Sequence, residues 1–499
     1  MSNQPHSSYR QIFKSTSLVG GAQIIRLAIG AVQVKALAML LGPAGVGIAG
    51  LYTSAIALIG TISGMGIGSS GVRQIAEAAA SEDEDRIART VDTLRITSLA
   101  SGLVGMLVGI ALCVPLSQAT FGSRDYAFGI AIVAVSLLFT AVSAGQMALL
   151  QGLRRLRDLA KCNVYGALLG AVASISLVYL FGERGIAWYL VAVSVFAAVG
   201  SWWYARKVAV KAIAISWREM AEEARGLLGM GIAFMTSALC TAGSAYLARV
   251  LIIRSFDVAA VGLYSATVTL SSLYVGLVLS AMGADFYPRL TGLAKDHVAM
   301  NRLVNQQTEM GLLMALPGVL ATLVFAPWIL TIFYSPAFVE ATTIIRWQIL
   351  GVALRVVCWP MGFILLAKGA SRMFMLTELL FNILYVVSIV ACMHVWGLDG
   401  MGIAFFVMYL IYMPGIMVIC HRTTGFLWSR KTLLLIVPSA VAVAATLFCS
   451  LKLPPWQAYA AGLLITAGAS IACLYFLQRL LDINPWRDVI ARLAPRLGQ

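Results

Sequence analysis

Two arginines, Arg346 and Arg355, lie inside an apolar run that is long enough to cross a lipid bilayer. A charged side chain at that depth is costly and rare, and where it occurs it usually serves a function. The planar fork of donors on arginine suits phosphate and carboxylate groups. The chemistry predicted for this stretch is therefore the binding of an anion inside the membrane.

Helical phase separates these two arginines. Arg355 lies near the middle of its predicted span and shares a face with Gln348 and Trp359, and Pro360 should bend the helix just beyond. Arg346 lies nearer the outer end, where its long side chain could reach the interface. We therefore predict that Arg355 and Gln348 contact a substrate, whereas position alone leaves the role of Arg346 open.

Three further cations lie within predicted spans. Arg26 is near the middle of the first span, on one face with Gln33, whereas Lys35 falls on roughly the opposite side and could either line a cavity or reach outward. Arg249 lies in the seventh span, one turn from Tyr246. We predict that Arg26, Lys35 and Arg249 line a polar cavity and bind substrate.

Two carboxylates lie near the predicted cytoplasmic ends of spans and are candidates for ion coupling or gating. Glu378 could pair with a buried arginine, take part in coupling, or be a solvated boundary residue. Asp285 ends a stripe of hydroxyl side chains on the eighth span. That stripe fits helix packing and a cavity wall equally well.

The composition determines the fold class that must position these side chains. The chain has 499 residues, of which 60% are hydrophobic and 11% charged, against about 25% charged residues in a soluble domain. Apolar blocks of about 20 residues recur along it, each long enough for a membrane helix. The sequence predicts an all-α polytopic membrane protein with about fourteen spans.

The loops predict the domain organisation and the orientation. Residues 1–204 and 229–430 each contain six predicted helices, 205–228 is a cytoplasmic linker, and 431–499 holds two further helices and a tail. Gly50-Leu51-Tyr52 and Gly262-Leu263-Tyr264 form a weak repeat between the two halves. Lys and Arg concentrate in alternate loops, which predicts that both termini are cytoplasmic and accounts for the net charge of +15.

Other function classes lack support in the sequence. No basic patch with interleaved aromatics stands apart from the spans, so we expect no nucleic-acid partner. The eight cysteines and four histidines are dispersed without metal-ligand spacing, so we expect neither a metal nor a cofactor. No phosphate-binding loop for ATP and no nucleophile–base pair is visible, which indicates a secondary transporter and not an enzyme.

Two stretches resemble Wzx-type flippases of O-antigen and other lipid-linked oligosaccharides. One combines residues 25–54 with GMGIGSSGVRQIAE at 64–77. The other combines FYSPAF at 333–338, RWQILG at 346–351, Arg355, CWPMGF at 358–363, LLAKG at 365–369 and LTE at 376–378. This second stretch resembles the lipid III flippase branch in particular. The chain departs from that branch by the two helices after about residue 430.

The resemblance implies two six-helix bundles around a central cavity, in a superfamily with multidrug-extrusion and peptidoglycan-precursor flippases. The implied substrate is a polyprenyl-pyrophosphate-linked oligosaccharide, moved from the cytoplasmic to the periplasmic leaflet of a bacterial inner membrane by alternating access. Arg26, Lys35, Arg346 and Arg355 match positions where such flippases use cations. H⁺ or Na⁺ coupling, and polymerase or chain-length partners, also fit this class.

Two alternatives share the same fold. A peptidoglycan-precursor flippase would be distinguished by essentiality of its gene. A multidrug or cation antiporter should carry a carboxylate deep in the first bundle, where this sequence has cations.

Overall fold

The structure is a computed structural model that describes residues 4–81, 83–208, 211 and 217–481. Within these ranges the side chains of 4–20, 217–222, 224–234, 277, 280, 281, 283–285, 371 and 481 are not described. Fifteen α-helices account for almost all of the described chain, and no strand occurs in it. Because no water pairs with the backbone inside a bilayer, long apolar runs satisfy their amide groups as helices.

The helices follow one another with short connections. Their bounds are α1 Gln4–Gly64, α2 Ile67–Ala80, α3 Glu84–Ala111, α4 Cys113–Phe121, α5 Ala127–Gly152, α6 Leu156–Phe181, α7 Gly185–Ala205, α8 Trp217–Ser255, α9 Val258–Gly292, α10 His297–Phe333, α11 Thr342–Ala367, α12 Ser371–Trp396, α13 Gly400–Thr424, α14 Arg430–Lys452 and α15 Pro455–Leu481. The last part of the predicted linker, from Trp217, is therefore helical and continuous with α8.

Eleven segments of the described chain are long and apolar enough to cross a membrane. Three of them each contain two helices, divided at Gly42 within α1, at 182–184 between α6 and α7, and at 397–399 between α12 and α13. The number of membrane-length helices is therefore fourteen. The predicted all-α polytopic fold is confirmed.

Glycines divide the three long segments for a steric reason. Gly42, Gly182 and Gly397 have φ values of 64°, 57° and 60°, a left-handed conformation that glycine adopts without strain. The two turns formed by Gly182–Arg184 and Gly397–Asp399 are both single 3₁₀ turns, and each is followed directly by a second glycine that opens the next helix. This pattern recurs at corresponding places in the two predicted halves.

Contacts divide the chain into two compact units. The first comprises Met1–Ser265 with Thr331–Val339, and the second comprises Ala266–Leu330 with Glu340–Gln499. These bounds differ from the halves predicted from the repeat because α9 and α10 each contribute to both units. The predicted division at 204, 228 and 430 stays a prediction.

The first unit has its core between α1, α5, α6 and α7. Tyr52, Ile130, Val178 and Ile186 are buried there. Within the same unit, the second half of α1 crosses the start of α9 at two glycines. A Cβ on Gly262 would collide with the Pro43 carbonyl, and one on Gly47 with that of Val258. The two segments of the weak sequence repeat therefore meet at this crossing.

The second unit has its core between α9, α10 and α11, where Val275, Val319 and Val352 are buried. The last two helices pack onto the same unit. Cys473 of α15 is buried against Leu316 and Leu320 of α10. The helices after residue 430 are thus part of the second unit and not a separate appendage.

Candidate functional site

The two predicted cations of α1 lie in different surroundings within the first unit. Arg26 is exposed. Lys35 is half-buried, and its Nζ donates a hydrogen bond of 2.5 Å to the carbonyl of Thr331 in the last turn of α10. The final carbonyls of a helix have no partner within it, and a lysine is a favourable one. Lys35 thus caps a helix end while keeping two of its three ammonium hydrogens for other acceptors.

The face of α1 that carries Arg26 and Gln33 contacts α6 at Gln33. Its Nε2 donates to Ser174 Oγ of α6 at 2.8 Å. Arg26 lies seven residues earlier and so projects from the same side of the helix, two turns away. At that level the side chain is exposed, so its guanidinium is accessible to a ligand.

Arg249 of α8 is half-buried in the first unit. Its Nη1 donates to the Ala245 carbonyl one turn back at 3.0 Å, and its guanidinium lies 5.8 Å from the centre of the Tyr264 ring. Gly50 packs beside it: a Cβ there would lie in ordinary van der Waals contact with Nε at 3.6 Å, whereas it would crowd Ser265 Oγ at 2.8 Å. Nε itself is buried and has no hydrogen-bond partner among the described residues. An unsatisfied donor of this kind is favourable for an anionic ligand.

Arg346 of α11 makes two hydrogen bonds to main-chain carbonyls in the second unit. Nε donates to Leu323 of α10 at 3.2 Å, and Nη1 donates to Ser450 of α14 at 3.3 Å. The Leu323 carbonyl would accept from the amide four residues later, but that position holds Pro327, which has no N–H. Ser450 lies in the last turn of α14, which ends at Lys452, so its carbonyl also has no partner within the helix. Arg346 therefore supplies both missing donors.

The remaining donors of Arg346 matter for its predicted role. A guanidinium has five N–H groups, and the two contacts above use one on Nε and one on Nη1. The side chain is half-buried between three helices, which holds it in place. It serves first as a structural link, and only its other N–H groups are available to a ligand.

Gln348 of α11 is buried, with 2% of its surface exposed. Its Oε1 lies 3.5 Å from Ser271 Oγ of α9, at the outer limit of a hydrogen bond. Sequence reasoning placed Gln348 beside Arg355 at a substrate. The structure instead places its carbonyl oxygen between two helices of the second unit, a typical polar contact in a membrane bundle.

Arg355 and Glu378 lie in the second unit, which also contains an aromatic cluster. The cluster consists of Phe381 and Tyr385 of α12 with Phe405, Tyr409 and Tyr412 of α13. Arg355 and Glu378 both lie within electrostatic range of the buried Tyr409 hydroxyl. The cation, the carboxylate and this phenol belong to three successive helices, α11, α12 and α13.

The eight predicted site residues thus divide between the two units. Arg26, Lys35 and Arg249 belong to the first unit, and Arg346, Gln348, Arg355 and Glu378 to the second. The Asp285 side chain lies outside what the structure describes. Among the described residues, no group of three or more His, Cys, Asp or Glu side chains could hold a metal ion.

Comparison with known proteins identifies the family of this chain. The family model described as "Polysaccharide biosynthesis protein" matches residues 12–293, more than half of the sequence. The chain belongs to the polysaccharide biosynthesis protein family. It is 24% identical to the lipid III flippase of Escherichia coli strain K12 over 408 residues, which cover 80% of this chain and 95% of the relative. The lipid III flippase of Shigella flexneri matches with the same figures.

Solved structures support the same fold. A lipid II flippase in an inward closed conformation superimposes with a TM-score of 0.67 and 10% identity, covering 93% of this chain and 100% of that protein. A multidrug resistance transporter of the MATE family superimposes with a TM-score of 0.63 and 16% identity, covering 81% and 99%. With the family match, these likenesses show that this polysaccharide biosynthesis protein has the multi-pass helical fold of that flippase and that transporter.

Sequence reasoning missed a buried polar network in this family member. Glu309 of α10 is only 7% exposed, and its Oε1 accepts from Thr432 Oγ1 at 2.7 Å. The same hydroxyl lies 2.8 Å from Asn305 Oδ1, which also accepts from the Ser429 amide at 2.8 Å. The network ties α10 to the start of α14. The signal was present in the sequence, since Asn301, Asn305 and Glu309 recur every four residues on one helical face.

Proposed function

We propose that this protein translocates a polyprenyl-pyrophosphate-linked oligosaccharide from the cytoplasmic to the periplasmic leaflet by alternating access. The observation that carries the proposal is a set of arginines within membrane helices of a polysaccharide biosynthesis protein. Such charges are retained in a bilayer where they serve a ligand. The lipid III flippases to which the chain is similar support the same class of substrate.

The donors that remain available favour some of these cations over others. Arg26 is exposed, Arg249 has a buried Nε without a partner among the described residues, and Arg355 is half-buried within electrostatic range of Tyr409. Arginine binds pyrophosphate oxygens through paired donors, and such charge-assisted bonds are the strong ones. We therefore propose that the pyrophosphate is contacted by Arg26 and Arg249 in the first unit and, in the second unit, by Arg355, without assigning these contacts to a single site. Lys35 and Arg346 contribute through the donors that their structural contacts leave unused.

The orientation and energetics form part of the same proposal. The excess of Lys and Arg in alternate loops favours cytoplasmic termini. Transport would be driven by an H⁺ or Na⁺ gradient or by the substrate gradient.

Glu378 is the proposed coupling or gate residue because, like Arg355, it lies within electrostatic range of Tyr409. Asp285 stays a second candidate on sequence grounds. A polysaccharide polymerase and chain-length proteins are the partners expected to act on the product.

One alternative has an observation in its favour. The likeness to the lipid II flippase extends over 93% of this chain, which supports a peptidoglycan precursor as the cargo. Depletion of the protein would then cause lysis, whereas loss of an oligosaccharide flippase would remove only surface glycan. A multidrug or cation antiporter on this fold would instead change drug susceptibility. The cations of α1 disfavour that reading.

The proposal is tested by complementation in a strain that lacks the chromosomal copy. Arg26→Ala and Arg355→Ala should each reduce surface polysaccharide by roughly tenfold or more, because each removes a charge-assisted contact to the pyrophosphate. Arg184→Ala is the matched control, since Arg184 is also an arginine but is exposed in the turn after α6. Protein level is measured by immunoblot. Full complementation by both substitutions would contradict the proposal.

A further inference from the structure

The first unit contains a cavity that no step of the proposed transport uses. It has a volume of about 480 Å³ and lies between α3, α5 and α7, where its wall includes Arg95, Ser98, Leu99, Gln146, Trp202 and Arg206. Ligand sites in proteins commonly have volumes of about 300 to 1,000 Å³. This cavity can take a small polar headgroup but not an oligosaccharide.

The charge of the cavity wall is positive. Arg206, just after the end of α7, stacks its guanidinium on the indole of Trp203 at 3.6 Å from the ring centre and near that of Trp202 at 4.8 Å. Stacking of this kind holds an arginine in place without using its N–H donors. Arg95 has one acidic neighbour, Asp92, at 3.5 Å on the same helix. Arg206 therefore carries most of the attraction for an anion, and Arg95 adds to it.

A buried hydroxyl in the same wall lacks a partner. Ser98 is 2% exposed, and its Oγ makes no hydrogen bond with any described residue. A neighbouring polar group, Gln146, already accepts from Ser201 through its Oε1. Buried hydroxyls are usually satisfied, so the wall carries an unpaired polar group beside its two arginines.

The surface next to the cavity is apolar and exposed. Leu99, Leu103 and Leu107 recur every four residues along α3 and are 53%, 44% and 55% exposed, and Val199 of α7 is 52% exposed. A bilayer covers such a surface in a membrane transporter. Trp202 lies between this surface and the arginines, the position where tryptophan is enriched at membrane interfaces. The ligand must therefore combine an anionic head with apolar chains.

We propose that this cavity binds the headgroup of an anionic phospholipid. Arg206 and Arg95 hold the phosphodiester, and the acyl chains lie along the exposed leucines of α3. Basic cavities between membrane helices suit such headgroups. The occupant is a resident lipid of the bilayer and not the transported glycan.

Native mass spectrometry of the purified full-length protein with added phosphatidylglycerol tests this proposal. The double variant Arg95→Gln with Arg206→Gln should bind phosphatidylglycerol at least about tenfold more weakly, since two charge-assisted contacts are lost. The matched control is Arg124→Gln with Arg184→Gln, two exposed arginines outside the cavity, which should leave binding unchanged. Wild-type protein should also prefer phosphatidylglycerol to phosphatidylethanolamine.

A second variant separates the cavity from its charges. Val142 lines the cavity, so Val142→Phe should reduce phosphatidylglycerol binding while both arginines remain, and a melting curve verifies that the variant is folded. Undecaprenyl phosphate added as a competitor distinguishes a bilayer lipid from a substrate-like one. Equal phosphatidylglycerol binding by the double variant and its control would overturn the proposal, and so would preferential binding of undecaprenyl phosphate.

Discussion

The two arginines of α11 lie nine residues apart in one helix and have opposite relations to the protein around them. Arg346 donates to two carbonyls without helical partners, one opposite Pro327 and one in the last turn of α14. Arg355 is instead half-buried and, like Glu378, lies within electrostatic range of the Tyr409 hydroxyl. A charged side chain in a membrane helix therefore has a structural role where it donates to backbone carbonyls that lack a helical partner. It is a candidate for function where the surrounding groups leave its donors to a ligand.

The largest effect on stability is expected at Arg346. Arg346→Ala should lower the free energy of unfolding by about 2 to 4 kcal/mol, because two buried carbonyls lose their donor. The measurement is unfolding of the purified protein in detergent. Pro327→Ala restores an N–H opposite the Leu323 carbonyl and should reduce the cost of Arg346→Ala by roughly half. If Arg346→Ala lowers the free energy of unfolding as much in the Pro327→Ala variant as in the wild type, the bond to the Leu323 carbonyl is not how Arg346 stabilises the protein.

The network around Glu309 tests whether a buried acceptor also loses stability when its donor is a side chain other than arginine. Thr432→Val removes the hydroxyl that contacts Glu309 and Asn305 and should cost about 1 to 3 kcal/mol. Thr446→Val is the matched control, because Thr446 is equally buried in α14 but bonds only to the Ala442 carbonyl of its own helix. Its cost should be below about 1 kcal/mol. Similar costs for the two variants would show that the network adds no stability.

The second arginine of α11 should behave in the opposite way to the first. Arg355→Ala is expected to change the free energy of unfolding by only about 0.5 kcal/mol, since among the described residues no backbone carbonyl accepts a hydrogen bond from it, while reducing surface polysaccharide by roughly tenfold or more. The same unfolding assay is combined with complementation. Destabilisation by Arg355→Ala as large as that by Arg346→Ala would remove the distinction between the two residues.

The smallest effect on stability is expected for an exposed ion pair. Lys211 bonds to Asp85 at 2.8 Å, and the hydrogen bond and charge of each partner lower the pKa of Asp85 and raise the pKa of Lys211. The contribution of Asp85 is lost as the pH falls through its lowered pKa, and that of Lys211 as the pH rises through its raised pKa. Melting of wild type and Lys211→Gln should differ slightly at neutral pH and converge in acid. A difference that persists in acid would exclude this pair as its source.

Hydropathy predicts most of the fold, because the length of each apolar run is determined by the thickness of the bilayer. The break near Gly42, before Pro43, and the start of α14 near residue 430 are both visible in the sequence. The role of Arg346 is not visible, because it depends on which distant carbonyls lie beside it. The same is true of Glu309, whose partner Thr432 is 123 residues away. Spacing identifies a charged face but not the group opposite it.

The candidate site could likewise be predicted from the sequence only in part. Residue type and depth single out Arg26, Arg249 and Arg355 as cations in membrane helices. Only tertiary contacts separate a guanidinium with a buried donor to spare, as in Arg249, from one whose donors complete two helix backbones. The cavity lined by Arg95 and Arg206 was not predicted, since its walls come from three helices that are separated in the sequence.

The link between Arg346 and Pro327 has an evolutionary consequence. Loss of the proline would return an amide to its own helix and make one arginine contact redundant, whereas loss of the arginine would leave both carbonyls unpaired. The arginine is therefore easier to lose after the proline than before it. Positions 327 and 346 should be inherited together among relatives, and substitution at 346 should be tolerated mainly in lineages that have already replaced Pro327.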